Sequence, residues 1–261
     1  MIRPELAKLR GRRRHDPRLV QHGISLLMSC VPLCFLAVAL EPESSSNDIL
    51  AKVANSSAKS QTLAYSALRE YRLRNFRFDK EARVSVQVTY RSNEGIKFTV
   101  LERSGSAKLT EIVEKLLASE AAASRPANFE EHEINPTNYD AHLRGTQASA
   151  GRICYVIDLV PKHKSKYLIR GTAWVDRTSY AIVRLEGVTA ASLSMLVGTP
   201  HIQLEFGEID GVWLPNHTSA VSSGLFLGTS ELEISYAGYL ITDLNHSVPS
   251  RAADSVQQTR P

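Results

Sequence analysis

Residues whose types and spacing could do chemistry are few and scattered in this sequence. After residue 39 a single cysteine remains, Cys154, and no base stands beside it, so a buried structural thiol is favoured over a reactive nucleophile. The eight histidines show none of the spacings that hold a metal ion. Three acids, Glu130, Glu131 and Glu133, stand in a polar linker, where solvation explains them better than paired-carboxylate catalysis. The sequence therefore predicts no catalytic site, no metal site and no cofactor.

One basic loop is a candidate for binding rather than for catalysis. Residues 161–166 carry Lys162, Lys164 and Lys166, which we expect to meet either anionic lipid head groups or an acidic partner. Charged hairpin loops are more often simply solvated, and this alternative stays open. The loop has no interleaved aromatic residues on which nucleic-acid bases would stack, so it does not predict a nucleic-acid site.

The basic charge of the chain is concentrated at its N-terminus. Residues 1–39 hold seven bases and two acids, and subtracting this local +5 from the total of +4 leaves −1 for residues 40–261. The basic segment precedes 18 uncharged residues, 23–40, and Ala37-Val38-Ala39 fits cleavage after Ala39. We expect a signal peptide, with an uncleaved inner-membrane anchor as the alternative. Both place the rest of the chain outside the cytoplasm.

The elements after this leader are mainly β-strands with one apolar face. Alternation of apolar and polar residues predicts strands at 71–78, 83–90, 96–101, 139–143 and 152–159, and hairpins over 167–241. Asp210-Gly211 is the strongest hairpin signal. We expect about nine strands in a domain spanning 48–244, between a polar linker at 40–47 and a disordered polar tail at 245–261.

Helical patterns are limited to two segments. Residues 48–69 are predicted to form one or two helices with Asn47 or Asp48 as N-cap. The stronger helix runs over 106–123, where Leu109, Ile112, Val113, Leu116 and Leu117 repeat at i, i+3, i+4, i+7 and i+8. A stripe at this spacing is typical of a helix that packs on a sheet.

So many one-faced strands with so little helix predict an α+β fold that is mainly antiparallel β. A sheet this wide tends to curl or to split into two layers, and curling around the helix at 106–123 would cover part of its concave face. A closed barrel or a two-layer sandwich would bury the same residues and remains an alternative at this point.

The order of these segments resembles the LolA/LolB-like outer-membrane lipoprotein-sorting family. The resemblance covers residues 48–243 and rests on the exported leader, the helix at 106–123, and the strand-and-turn segments around Trp174-Val175-Asp176 and Asp210–Pro215. It implies a curved, incomplete antiparallel β-barrel, covered by one or two helices on its concave face, over a hydrophobic cavity that takes acyl chains. It also implies the periplasm of a Gram-negative bacterium as the location. No ligand residue of the family can be placed on this sequence.

The resemblance implies an exported carrier, without catalytic activity, that binds a lipid or lipoprotein acyl chain. It is peripheral to the membrane unless the leader is retained. Apolar residues on or near the predicted strands and helix are the candidates for lining the cavity, with ordinary core packing as the alternative for each: Trp174, Trp213, Phe206, Met195, Leu196 and Leu116. The alternative function is a periplasmic protein-interaction or envelope-stress sensor module, with an envelope protein as partner.

Overall fold

The architecture is a single ten-stranded antiparallel sheet with two α-helices. The computed structural model describes residues 45–61, 63–192, 199–224 and 228–242; the predicted leader and tail lie outside these ranges. The helices are α1 (Ser46–Gln61) and α2 (Ala107–Ala123), and a short 3-10 helix follows at Pro126–Glu131. The strands are β1 (Ala64–Asn75), β2 (Lys80–Arg91), β3 (Gly95–Gly105), β4 (Tyr139–Ser149), β5 (Arg152–Pro161), β6 (Ile169–Asp176), β7 (Ile182–Thr189), β8 (His201–Ile209), β9 (Val212–Gly224) and β10 (Gly228–Thr242).

Strand order shows that the sheet is open. The order is β3-β2-β1-β10-β9-β8-β7-β6-β5-β4, and in the described part of the chain the edge strands β3 and β4 do not pair with each other. The predicted incomplete antiparallel barrel with helices is confirmed. A closed barrel would join the two edges, and a sandwich would need two sheets, so neither alternative describes the structure.

Cross-strand register explains why one face is apolar and the other polar. A continuous row of cross-strand partners crosses nine strands on the face that the helices cover, and Thr218 is its only polar member. Its members, in order from β2 to β4, are Val84, Tyr71, Ile234, Thr218, Leu204, Leu185, Ala173, Ile157 and Leu143. We call this the inner face.

The adjacent row faces the other way, because strand side chains alternate. All of its members are polar: Arg83, Arg72, Glu233, Ser219, Gln203, Glu186, Thr172, Asp158 and His142. On this outer face Arg72 pairs with Glu81 at 3.0 Å and with Glu233 at 3.4 Å. The one-sided patterning predicted from the sequence is therefore confirmed across the sheet.

Each helix covers a different part of the inner face. We call α1 with β4–β7 the α1 half: its core joins α1 residues such as Leu50 and Val53 to Ile157, Leu159 and Leu185. We call α2 with β1–β3 and β10 the α2 half: its core includes Val84, Val86, Val88, Tyr71, Ile234, and Leu109, Val113 and Leu117 of α2. The predicted stripe of α2 is confirmed except for Ile112, which is 41% exposed.

The end of the first helix was predicted wrongly. Residues 64–69 belong to strand β1 rather than to a helix, because β1 pairs along its length with β2 on one side and β10 on the other. Two ladders of backbone hydrogen bonds outweigh the weak helix preference of these residues. The helix start also differs: the Ser45 hydroxyl accepts a hydrogen bond from the Asp48 N–H at 3.2 Å, so Ser45 takes the N-cap role predicted for Asn47 or Asp48.

Candidate functional site

The inner face has an apolar zone that neither core buries completely. Strand β8 has no fully buried residue, although buried residues occur on both of its neighbours, β7 and β9. Its inner-face residues Ile202, Leu204 and Phe206 are all partly exposed. Burying such apolar surface is favourable, so this zone is a candidate surface for an apolar ligand.

A buried ion pair lies on the inner face of the α2 half. Arg69, in the middle of β1, is 4% exposed, and its Nη1 donates to Glu120 Oε1 at 2.6 Å. Tyr71 also donates its hydroxyl hydrogen to Glu120, at Oε2, over 3.2 Å. The Glu120 side chain comes from the last turns of α2 and keeps 32% exposure, so it is the solvent-facing member of the pair.

Aromatic rings surround the Arg69 guanidinium. Its central carbon lies 4.8 Å from the centroid of the Tyr236 ring and 5.7 Å from that of Phe98, both within the range of a cation–π contact. The Tyr236 hydroxyl in turn shares a hydrogen bond with Thr218 at 3.1 Å. Tyr65 stacks on Tyr90 with ring centroids 5.2 Å apart and lies on the same side of β1 as Arg69. Arg69 is thus a cation enclosed by aromatic side chains.

Arg69 stays charged, and the tyrosines around it stay neutral, over the physiological pH range. Burial alone would lower the pKa of Arg69, but the carboxylate of Glu120 and the nearby tyrosines raise it instead. Burial, followed by the charge of Glu120, raises the pKa of Tyr71, and burial also raises the pKa of Tyr65 and Tyr236. The phenols therefore stay neutral, and the cluster holds one fixed cation opposed by one carboxylate.

The hydrogen bonding of Arg69 is incomplete. Among the residues that the structure describes, its Nε is buried without a hydrogen-bond partner. A buried donor without an acceptor costs about 1–3 kcal/mol. A buried charge is costly even when it is paired, so packing alone would favour an apolar residue at this position.

Sequence reasoning missed Arg69, although a signal was present. Arg69 falls in the alternating series Arg69, Tyr71 and Leu73, whose members all point to the inner face. An arginine in the apolar series of a strand is unusual and marks a functional candidate. The signal was hidden because residues up to 69 were assigned to a helix, for which the two-residue alternation has no meaning.

The predicted cavity residues do not lie together. Phe206 is on the inner face of β8, and Leu116 packs against the core of the α2 half. Trp174 lies opposite Val156 and Arg184, on the face away from the core residues Ala173 and Val175. A ligand on the inner face would not reach it. Met195 and Leu196 lie outside the described residues.

Both tryptophans are covered by arginines. The Arg184 guanidinium carbon lies 4.9 Å from the Trp174 ring, and Trp174 donates its indole N–H to Gln147 at 3.3 Å. Arg152 lies 4.9 Å from the Trp213 ring and pairs with Glu208 at 2.5 Å. Each ring therefore already has a partner for one of its faces.

Two of the three predicted lysines of the 161–166 loop, Lys162 and Lys166, have local partners. Lys162 donates to the backbone oxygen of Pro136 at 2.6 Å and lies 3.6 Å from Asp140. Lys166 lies 4.8 Å from the ring of Tyr167. No contact brings these lysines to the Arg69 cluster within the described ranges, and their role in binding stays a prediction.

Cys154 is fully buried, and burial followed by the charge of Asp176 raises the pKa of its thiol. A raised pKa keeps the thiol protonated and poorly nucleophilic. Among the side chains that the structure describes, no three histidines, cysteines or acids come together in a way that would hold a metal ion. In the same ranges neither helix combines the length and apolar content that a bilayer crossing requires.

No protein-family model matches the sequence, and no curated protein matches it either. Similar solved structures include a LolA superfamily protein from Nitrosomonas europaea, at 13% identity and a TM-score of 0.43, covering 77% of this chain and 94% of that one. A putative outer membrane lipoprotein-sorting protein domain from Vibrio parahaemolyticus has 12% identity and a TM-score of 0.41, covering 73% and 92%. A DUF1329 family protein from Desulfovibrio piger has 13% identity and a TM-score of 0.41, covering 77% and 95%. The fold of this chain rests on its own strand order, an open antiparallel sheet of ten strands with two α-helices in the part of the chain that the structure describes.

Proposed function

We propose that this protein is an exported, non-catalytic carrier that binds a lipid or lipoprotein acyl chain on the inner face of its sheet. The observation that carries the proposal is the apolar zone of β8, where Ile202, Leu204 and Phe206 stay partly exposed beside two well-packed cores. The leader over residues 1–39 would direct the chain to the periplasm, as proposed from its sequence.

An acyl chain supplies enough free energy for such binding without any catalyst. Each methylene removed from water contributes about 0.8 kcal/mol, so a chain of about fourteen methylenes offers roughly 11 kcal/mol before ordering costs. The ligand needs only a continuous apolar surface and a few polar groups to orient it. Phe206 and Leu116 are the sequence candidates that we retain as lining residues on this face.

The direct test is native mass spectrometry of the full chain purified from a Gram-negative periplasm. We expect additional mass corresponding to one bound lipid, which organic extraction removes and added lipid restores. A protein that stays free of lipid after incubation with phospholipids and lipopeptides would contradict the proposal.

A charge on the inner face should separate specific binding from non-specific adsorption. Phe206→Lys places a cation in the apolar zone and should weaken binding of a neutral C16 alcohol by at least about tenfold, because the charge must be desolvated. Gln203→Lys adds the same charge on the outer face of the same strand and should leave binding unchanged. Equal effects of the two variants would show that the inner face is not the binding surface.

A second candidate function is binding of an envelope protein through a sheet edge. Strand β3 is at one end of the sheet order, and the end of the strand is exposed, with Leu101 at 57%. An edge strand offers free backbone groups to an extended segment of a partner. Leu101→Lys places a charge on this exposed edge, and we would expect it to abolish capture of a periplasmic partner while leaving lipid binding intact.

A further inference from the structure

We propose that Arg69 receives the anionic head group of the bound amphiphile, and that Glu120 is a resident anion which the head group displaces. This inference rests on the proposed acyl-chain binding and adds the chemical class of the ligand. The ligand would be an amphiphile with one apolar chain and one negatively charged head group, either a carboxylate or a phosphate.

The first support is the unused donor capacity of Arg69. A guanidinium has five N–H donors in a planar fork, which suits a bidentate carboxylate or phosphate. Here Nη1 serves Glu120 at 2.6 Å and Tyr71 at 3.4 Å, while the buried Nε has no partner among the described residues. An incoming anion with two or more oxygens could satisfy donors that Glu120 leaves unsatisfied.

The second support is that Glu120 can leave without unfolding the core. Its side chain is the exposed member of the pair, at 32% against 3% for Arg69. It stands on α2 one turn before the helix ends at Ala123, on the side of the cluster open to solvent. Rotation of this one side chain toward water would free the Nη1 donor of Arg69, whereas moving Arg69 would disrupt the pairing of β1.

The third support is the path from Arg69 to the apolar zone. Tyr236 lies directly across from Arg69 on β10, its hydroxyl contacts Thr218 on β9, and Thr218 lies opposite Leu204 on β8. Three strand spacings separate β1 from β8, about 14 Å on the sheet. A head group at Arg69 would therefore let the chain run across the inner face to Leu204 and Phe206.

If Glu120 and the ligand compete for Arg69, removing the charge of Glu120 should strengthen ligand binding. Glu120→Gln removes the resident charge but keeps a side chain of the same shape. It should tighten binding of hexadecyl phosphate by about tenfold, since a charged hydrogen-bond partner is freed, and it should leave binding of hexadecanol unchanged. Isothermal titration calorimetry with both probes at pH 7.5 measures the two affinities.

Removing the Arg69 cation should abolish the preference for the phosphate probe over the alcohol. Because Arg69→Met alone would strand a carboxylate in the core, the double variant Arg69→Met/Glu120→Leu is the better protein to test, with thermal unfolding as the check that it is folded. It should bind both probes with equal affinity. Arg72→Met removes an arginine from the outer face of the same strand and should retain the preference for the phosphate.

The outcomes separate this inference from the proposed function. If both probes bind but Glu120→Gln changes neither affinity, or if the double variant still prefers the phosphate, the Arg69 inference is wrong and the carrier proposal stands. If neither probe binds, both are wrong. Inorganic phosphate alone should not bind at millimolar concentration; binding of free phosphate as tight as that of hexadecyl phosphate would show a simple anion site and overturn the assignment to a lipid head group.

Discussion

The α1 half and the α2 half of the sheet each pack a helix on the inner face, but they differ in the side chains buried there. The inner-face core of the α1 half is apolar apart from the Tyr139 hydroxyl, which accepts a hydrogen bond from the Ile169 N–H at 3.0 Å. The buried carboxylate of this half, Asp176, lies outside that core, at the β6–β7 turn. Beside the core of the α2 half lies the Arg69–Glu120 pair, with tyrosines around it. Since an apolar side chain would pack there at lower cost, the difference indicates that the α2 half keeps its buried charge for a purpose other than stability.

The largest effect that would test this contrast is the loss of Glu120. Glu120→Ala leaves the Arg69 cation buried without a counter-charge and should lower the free energy of unfolding by about 3–5 kcal/mol in urea denaturation. The control is Glu114→Ala on the same helix, whose pair with Arg103 at 2.7 Å is exposed and should contribute at most about 1 kcal/mol. Similar losses of unfolding free energy for both variants would show that the buried Arg69–Glu120 pair contributes no more to stability than an exposed pair.

Apolar packing should matter equally in the two halves. Leu50→Ala in α1 and Leu117→Ala in α2 each empty a buried site, and each should cost about 2–5 kcal/mol. Ile112→Ala on the exposed side of α2 should change stability by only about 0.5 kcal/mol. A much smaller loss for Leu117→Ala than for Leu50→Ala would mean that α2 is held mainly by its polar contacts. It would contradict the expectation that apolar packing stabilises both halves equally.

Alkaline pH should expose the tyrosines of the α2 half. Because burial raises the pKa of Tyr65, Tyr71 and Tyr236, the unfolded state loses protons above about pH 10 that the folded state keeps. Stability from these groups is therefore full below pH 10 and falls above it. Tyr71→Phe should make that fall shallower and cost about 1 kcal/mol at pH 7 for the lost hydrogen bond. If urea denaturation at a series of pH values shows an equally steep loss of stability in Tyr71→Phe, the loss does not come from the buried tyrosines.

Acid pH should act instead on the β6–β7 turn of the α1 half. Burial alone would raise the pKa of Asp176, but hydrogen bonds from Ser179, at 3.0 and 2.7 Å, and the charge of Arg152 hold it below its ordinary value. Stability from Asp176 is therefore present above about pH 4 and is lost as pH falls further. Asp176→Asn should cost about 1 kcal/mol at pH 7 and flatten the acid limb of thermal unfolding. A steep acid limb that persists in this variant would place its origin elsewhere.

Sequence patterns were reliable wherever one strand or helix determines its own faces. The series Val84, Val86 and Val88 is buried as predicted, and Asp210-Gly211 forms the predicted β8–β9 turn, with positive φ at both residues. In each case the decisive interactions are local in sequence.

Predictions from the sequence failed where contacts between segments far apart in the chain determine the structure. Residues 64–69 became strand because β2 and β10 pair with them, and β10 follows more than 150 residues later. The same error concealed Arg69, whose partner Glu120 is 51 residues away. Trp174 was a candidate for lining the cavity, but the register of β6 against β5 and β7 places it on the outer face.

The alternation of apolar and polar residues by itself determined that this chain makes a broad antiparallel sheet with one apolar face. This is because side-chain direction in a strand follows from backbone geometry alone. Only the tertiary structure decided that the sheet stays open between β3 and β4, and that a charged arginine lies within its apolar side. Both depend on which strands become neighbours, and that choice is made by contacts between residues far apart in the chain.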